Sequence, residues 1–495
     1  MDSQIFGRDK EKERLKKIYQ GKEAAFLAVY GRRRVGKTFL IKEFFQDKGV
    51  FFHLTGLKGE KTSTQLKGFS IELSDVFFQG KKQEIPKSWS DAMTELRYQL
   101  EKIPKDQKAI LFFDELPWLA SPKSGFLEAL DHLWNRYLSN MRNMILIVCG
   151  SAASWMIRKV IDDRGGLHGR ITHQMPLFPF TIAETQGFLE GREIFLSTMQ
   201  LTELYMAIGG VAKYLTYVEK GRSAAEIINE LCFQRGGPLY TEFHRLFRSL
   251  FNHYESHIAI VRALSKKRMG LTYREIAQET DLEDGGTLTG RLRELEESGF
   301  ITSMSIFGKG KKERLFCLID EYSLFYLTWI EEHSFADLDE SNGNFWMRQR
   351  ETSKWRAWKG FAFERICLKN IKAIKKALGI EEVMTKTSKW MYRPTNKEEK
   401  GAEIDWVMER GDGCIHLFEA KYTESDYEIK KEEAQKLREK RNIFKRETKT
   451  RKTIFTTFVT PFGVKQNTYF AEGVDQQIIL EKLLEVGANA FVTSE

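Results

Sequence analysis

Three groups of residues in this 495-residue chain have the types and spacing to do chemistry. The first is Gly31-Arg-Arg-Arg-Val-Gly36-Lys37-Thr38, which follows the apolar run Ala25 to Tyr30 and opens an apolar stretch with helical pattern. Gly31 and Gly36 let the backbone turn so that successive N–H groups converge on phosphate oxygens, and the start of the following helix adds partial positive charge. In that strand–loop–helix setting Lys37 is placed for the β- and γ-phosphates of ATP, and the Thr38 hydroxyl for Mg²⁺. The three arginines between the glycines read as solvated loop charges.

The second group completes the first. The run "QKAILFFDELPWLA" ends its apolar part in Asp114-Glu115. An Asp at a strand tip can hold Mg²⁺ through water, and a Glu beside it can orient and polarise an attacking water. Ser151, at the tip of "NMILIVCGSAASWM", either senses a γ-phosphate or caps the next helix. Arg164 and Arg170 are either arginine fingers or surface charges.

The third group lies in "AEIDWVMERGDGCIHLFEAKY", residues 402–422, where two apolar runs flank a Gly-Asp-Gly turn. Centring the hairpin on that turn sets Asp405 directly across from Glu419. Period-two alternation then puts Glu419 and Lys421 on one face, and a one-residue slip would break the cluster. Carboxylates are costly in a sheet unless paired, metal-bound or used. Asp405 and Glu419 are hard oxygen ligands suited to a divalent ion beside a scissile phosphodiester, and Lys421 to positioning or deprotonating the water. Glu364, in the upstream helical stretch "WRAWKGFAFERICLKNIKAIKKALGI", is a further ligand or orients one. The alternatives are a decayed site or an Asp405–Lys421 salt bridge within the sheet.

The elements that must position these groups divide the chain. Residues 1–180 carry the nucleotide motifs. Residues 181–252 alternate helical stripes with Gly-rich breaks and read as a helical lid. Residues 253–322 read as three helices and a hairpin with a basic tip (Lys309, Lys311, Lys312, Arg314), a winged helix-turn-helix pattern. The charges of its third helix nearly cancel, so the wing is the better phosphate contact. Residues 323–350, centred on the acidic, turn-rich "EEHSFADLDESNGNFW", read as a linker, and 351–495 as a C-terminal domain.

Composition is that of a globular chain: 42% hydrophobic, 13% aromatic and 30% charged residues. No run approaches the ~18 apolar residues of a membrane span, and the N-terminus lacks the apolar core of a secretion signal. Five scattered cysteines without a CxxC pair suit a reducing cytosol better than a disulfide framework or a zinc site. A cytoplasmic protein without membrane attachment is the expectation. Residues 351–460 hold 26 Lys and Arg against 18 Asp and Glu, nearly all of the chain's net +9. That imbalance suggests a polyanionic partner for the C-terminal region, nucleic acid above all.

"IFGRDKEKERL", "GRRRVGKT", "FFDELPWL", "GSAASWM", "GRITHQMPLFPF" and "IGGVAKYL", in that order, resemble the archaeal-type P-loop ATPases of the STAND/AAA-like group. The resemblance covers the first half of the chain. It implies an α/β fold with a RecA-like parallel sheet, a nucleotide contact from Gly7-Arg8, and the possibility of a homo-oligomer. Ala212 stands where relatives usually have Pro. The order Glu364, Asp405, Glu419-Ala-Lys421 resembles the PD-(D/E)XK nucleases, with "EID" in place of "PD". It also resembles the domain usually appended to these ATPases. Together these resemblances imply a Mg²⁺-dependent ATPase with a helical lid, a winged helix and a restriction-endonuclease-like domain acting on nucleic acid, DNA in preference to RNA, in defence or mobile-element biology. The rival expectation is a nucleotide-controlled signalling or scaffold switch with an inactive nuclease-like module.

Overall fold

The structure, a computed structural model, describes residues 5–488 except 163–166, 168, 283–284, 311–312, 335–343, 395 and 397–398, with side chains to residue 485. It forms two compact units, residues 1–178 and 179–495.

The first unit is built on a parallel five-stranded sheet of β1 (Ala25–Tyr30), β2 (Val50–Thr55), β3 (Ala109–Asp114), β4 (Met144–Gly150) and β5 (His173–Pro176), in the order β2-β3-β4-β1-β5. Its central strands are continuous apolar runs because both faces are covered. Along β1, Phe26 and Ala28 enter one core, and Ala25, Leu27 and Val29 the other. Parallel strands all end on the same edge. The neighbours β3, β4 and β1 therefore deliver Asp114, Ser151 and the Gly31–Thr38 loop to one place.

The second unit begins with the helices Ile182–Glu190, Thr198–Ile208, Ala212–Leu215, Ala224–Phe233 and Glu242–Leu250, in the stretch read as a lid. Three helices follow, Tyr254–Ser265, Tyr273–Thr280 and Gly286–Glu297. With them run β6 (Leu271–Thr272) and the hairpin β7 (Ile301–Ile306) and β8 (Arg314–Leu318). The C-terminal segment adds the helix Ser353–Lys369, β9 (Thr385–Tyr392), β10 (Ala402–Arg410), β11 (Cys414–Ala420), the helix Lys431–Thr448, β12 (Thr453–Thr460) and β13 (Gln476–Ile479).

All eight of these strands form one sheet, ordered β13-β12-β11-β10-β9-β7-β8-β6. The lid, the three helices with their hairpin, and the C-terminal segment, expected as separate domains, thus sit in one unit. Its joint is the parallel pairing of Ser305 with Ser388 and Ile306 with Lys389. The hairpin is therefore no free wing: one edge of β7 is taken by β9. Lys309 and Arg314 are exposed at its tip, and Lys311 and Lys312 fall outside the described residues.

The expected linker, 323–350, is another difference. Its middle lies outside the described residues, but its flanks are core. Phe325, Trp329, Phe345 and Trp346 are buried, and Trp346 stacks on Phe233 and meets Phe325, Trp329 and Trp355 edge-on. Acidic, turn-rich residues set the linker reading, and they conceal how much aromatic surface lies on either side. Among the described residues no helix is long and apolar enough to cross a membrane.

Candidate functional site

The phosphate-binding loop has the backbone its glycines were expected to permit. Gly31 has φ 150° and Gly36 φ 92°, and a Cβ on Gly31 would lie 2.0 Å from the Leu177 carbonyl oxygen. Only glycine fits there without moving the backbone of a neighbouring strand end. Lys37 Nζ donates to the carbonyl oxygens of Gly31 (2.8 Å) and Arg32 (2.9 Å), so the loop is closed around its own ammonium. Thr38 Oγ1 donates to Asp114 Oδ2 at 2.6 Å.

Of the two expected roles of Ser151, the helix cap is not the one it takes. The helix Ala153–Met156 has Ala152 at its cap position, so Ser151 does not cap it. Its hydroxyl instead donates to Glu115 Oε1 (2.5 Å) and accepts from Lys37 Nζ (3.3 Å). Glu115 sits in the left-handed region (φ 48°), a conformation costing a non-glycine residue about 1–3 kcal/mol and common at working sites. Ser151 N–H and Oγ fix its carboxylate.

Gly7 and Arg8 (φ 65° and 58°) form a tight turn. Buried Arg8 donates to Val35 O (3.2 Å) and Phe178 O (2.7 Å), bracing the phosphate-binding loop. Arg170 is half-exposed, and its ion pair runs to Asp131 at 3.9 Å. Arg164 lies outside the described residues. A hydroxyl beside a carboxylate, a buried lysine bonded to the carbonyls of its own glycine loop and an adjoining fixed Glu suit a nucleoside triphosphate with Mg²⁺.

In the second unit the expected register holds where it is paired: Trp406 faces Phe418, Val407 Leu417, Met408 His416 and Glu409 Ile415. The Gly-Asp-Gly turn enforces that alignment. At Asp405 the regularity ends, because β10 is irregular against β9 between Ile404 and Val407. Ile404 and Val407 enter one core, Trp406 and Met408 the other. The break in alternation is a bulge, and it re-aims Asp405. Its Oδ2 accepts from Ala420 N–H (2.8 Å), while Oδ1 takes Arg268 Nη2 (2.8 Å).

Glu364, on the helix Ser353–Lys369, has no exposed surface and is bonded by Arg268 Nε (2.6 Å) and by fully buried Lys389 (2.5 Å). Lys389 also donates to the Asp405 carbonyl oxygen at 2.5 Å. Glu419 shares the β11 face of Ile415 and Leu417, which packs on the helix Lys431–Thr448. Lys440 of that helix pairs with it, and Lys421 Nζ lies 3.4 Å away.

Of the four residues expected of the phosphodiesterase site, Glu364 and Asp405 meet at Arg268, and Glu419 and Lys421 lie at the end of the neighbouring strand β11. They are not one flat patch, since Glu364 and Glu419 belong to helix and strand faces on opposite sides of the sheet. Every one of the three acids is ion-paired. Among the described residues, no three of His, Cys, Asp or Glu are gathered closely enough, as they stand, to hold a metal ion. By donor chemistry the three carboxylates suit a hard divalent cation; as they stand, each is paired with the chain's own cations.

Arg268, Lys389 and Lys440 are the residues sequence reasoning missed. A signal for them existed: three acids with one lysine in an apolar setting leave a charge deficit that further cations must fill.

Buried Asp405 is pushed up to about 7, chiefly by loss of water and then by the charges of Glu419 and Glu364, against Arg268 and the Ala420 N–H. For Glu364 burial acts the same way, but Lys389, Arg365 and Arg268 outweigh it and hold the carboxyl below its usual range. A raised carboxylate gives a definite pH dependence. Between the ordinary 3.8 and about 7 the native state binds the Asp405 proton more tightly than the unfolded chain, so this residue's contribution falls as pH rises across that window. Asp405→Asn removes the dependence. In urea unfolding from about pH 4 to pH 8, variant minus wild-type stability should climb up to neutrality and then level off. Parallel curves would contradict the assignment.

Residues 5–218 match the family model described as an ATPase domain predominantly from Archaea. That stretch holds the phosphate-binding loop, both strand-end acids and Ser151, and the chain carries an ATPase domain of this type. An uncharacterized protein of Methanocaldococcus jannaschii is 23% identical over 431 residues, 86% of this chain and 89% of that one. Among solved structures, the chain is similar to a Walker-type ATPase of Pyrococcus abyssi (17% identity, TM-score 0.44, 65% of this chain and 96% of that one). It is also similar to the ORC2 protein of Aeropyrum pernix (14% identity, TM-score 0.42, 69% and 96%).

Proposed function

We propose that the chain is a Mg²⁺-dependent ATPase whose second unit carries a metal-dependent nuclease site acting on nucleic acid, DNA in preference to RNA. The observation that supports the nuclease half is that buried Glu364 and Asp405, distant in sequence, meet at Arg268, while Asp405 also accepts from the Ala420 N–H, between Glu419 and Lys421 on the neighbouring strand. Burying three acids is costly, and a purely structural role would be served as well by apolar residues.

In the first unit, Thr38 and Asp114 would hold Mg²⁺, which supplies charge neutralisation at the phosphates when bound. Lys37 binds the phosphate oxygens, Glu115 orients the attacking water and accepts its proton, and Ser151 keeps Glu115 aimed. Arg8 holds the loop's shape from behind. In the second unit, Asp405 and Glu419 would hold the divalent ion, with Glu364 as a further ligand or an orienting group. That ion would polarise the phosphoryl oxygen. Lys421 positions the water and offsets charge growing on the phosphate. The basic surface of residues 351–460 supplies backbone affinity.

A second reading, a nucleotide-controlled switch whose nuclease-like module only binds a partner, draws on the pairing of all three acids with cations. One assay separates them. The purified chain is incubated with plasmid, single-stranded DNA and RNA, in Mg²⁺ or Mn²⁺, with and without ATP. Metal-dependent cutting supports the nuclease; ATP turnover without cutting of any substrate supports the switch.

A further inference from the structure

Among the described residues, Arg268 is the one cation paired with these acids that comes from outside the C-terminal segment. It sits on the turn between the helix Tyr254–Ser265 and β6, and it bridges Glu364 through Nε and Asp405 through Nη2. A planar guanidinium between two carboxylates takes the position that a divalent ion shared by them would take.

The pair partners differ in freedom. Glu364 and Lys389 have no exposed side-chain surface, whereas the Arg268 side chain is 44% exposed. Its backbone is pinned: Arg365 donates to the Arg268 carbonyl, Cys317 Sγ reaches the Met269 carbonyl, and Gly270 N–H bonds Lys267 O. A Cβ on Gly270 would lie 2.4 Å from Phe316 O, so the turn itself is fixed. Of the two cations paired with Glu364, Arg268 is the one whose side chain reaches solvent.

Where it can go is also defined. Arg268 lines a cavity of about 530 Å³ between this turn and β9. Lys266, Lys267 and Arg393 line it as well, against Glu275 and Glu403, whereas the buried Lys389 ammonium is turned to Glu364. Lys267 is partly engaged by Glu279 at 3.5 Å. The lining is cationic in excess, directly beside the acids, and fits an anionic strand of phosphodiesters.

We propose that this cleft binds a nucleic-acid phosphate, and that Arg268 is a displaceable cover on the metal ligands, drawn off Glu364 and Asp405 by that phosphate. The inference rests on the metal-site reading above. It makes metal binding and substrate binding mutually reinforcing, because each is favoured by the same movement of Arg268.

The test is Mn²⁺ titration of the full chain by calorimetry, with thermal unfolding to confirm the fold of each variant. Arg268→Gln should tighten Mn²⁺ binding by about tenfold or more, one ion pair's worth of competition. The gain should vanish in Arg268→Gln with Glu419→Gln. In wild-type protein, which needs no refolding control, a short duplex DNA should tighten Mn²⁺ binding, and it should lose that effect in Arg268→Gln. Tightening supports the cover whether or not DNA is cut. Equal or weaker Mn²⁺ affinity in Arg268→Gln, or no effect of DNA on the wild type, overturns it even if cleavage is observed.

Discussion

Lys37→Ala should lower ATP turnover by at least about a hundredfold while leaving the chain folded. The lysine is buried, and it donates to the Gly31 and Arg32 carbonyls and to the Ser151 hydroxyl. Alanine removes the positive charge from the centre of the loop, and loss of one preorganised donor at a developing charge typically costs that much. It also removes Ser151's link to the loop, although both Ser151 bonds to Glu115 remain. Stability should change little, because Gly31 and Gly36 hold their own backbone geometry and Arg8 still braces Val35. Steady-state phosphate release with circular dichroism on the same sample checks both halves. Unchanged turnover would remove Lys37 from its assigned role.

Lys389→Met should destabilise the second unit by about 3–5 kcal/mol, the cost of leaving one charge of a buried pair without its partner. The side chain has no exposed surface, bonds Glu364, and satisfies the Asp405 carbonyl. Its backbone carbonyl accepts from Phe307 N–H, at the joint where the hairpin β7–β8 meets β9. Arg268 remains to neutralise part of the Glu364 charge, so the lower end of the range is expected. Adding Glu364→Leu should recover much of the loss, because it replaces an unpaired carboxylate by apolar contact. Urea unfolding of the two single variants and the double gives the coupling between them. Independent, additive effects would mean that the pair is not energetically linked.

Much of this site was legible where chemistry is written in short segments. The strand–loop–helix setting of Gly31 to Thr38 and the Asp114-Glu115 tip fix their own surroundings, and parallel strands bring their ends together. The pairing of residues 406–409 with 415–418 followed from a single turn. What was not legible comes from further away. The bulge at Asp405 depends on how β10 meets β9, which no hairpin rule specifies. Arg268 reaches the acids from 96 and 137 residues away in sequence. Pairing of Ile306 with Lys389 joins two segments that each read as complete alone. The aromatic residues flanking 335–343 sit beside polar sequence, and only the assembled core shows that they belong to it.

These differences bear on function. The expected wing was the leading phosphate contact, yet its first strand is committed to the sheet. In the third helix Arg291 is engaged by Glu294, which also meets His257 at 2.8 Å. Cationic surface beside the acid cluster is the stronger candidate for nucleic acid.

Plasmid cleavage by Glu419→Ala, measured beside ATP turnover in the same preparation, tests the nuclease assignment most directly. The account predicts that metal-dependent cutting by the wild type is lost in this variant while phosphate release continues at the wild-type rate. Cutting that persists undiminished without the Glu419 carboxylate would contradict it.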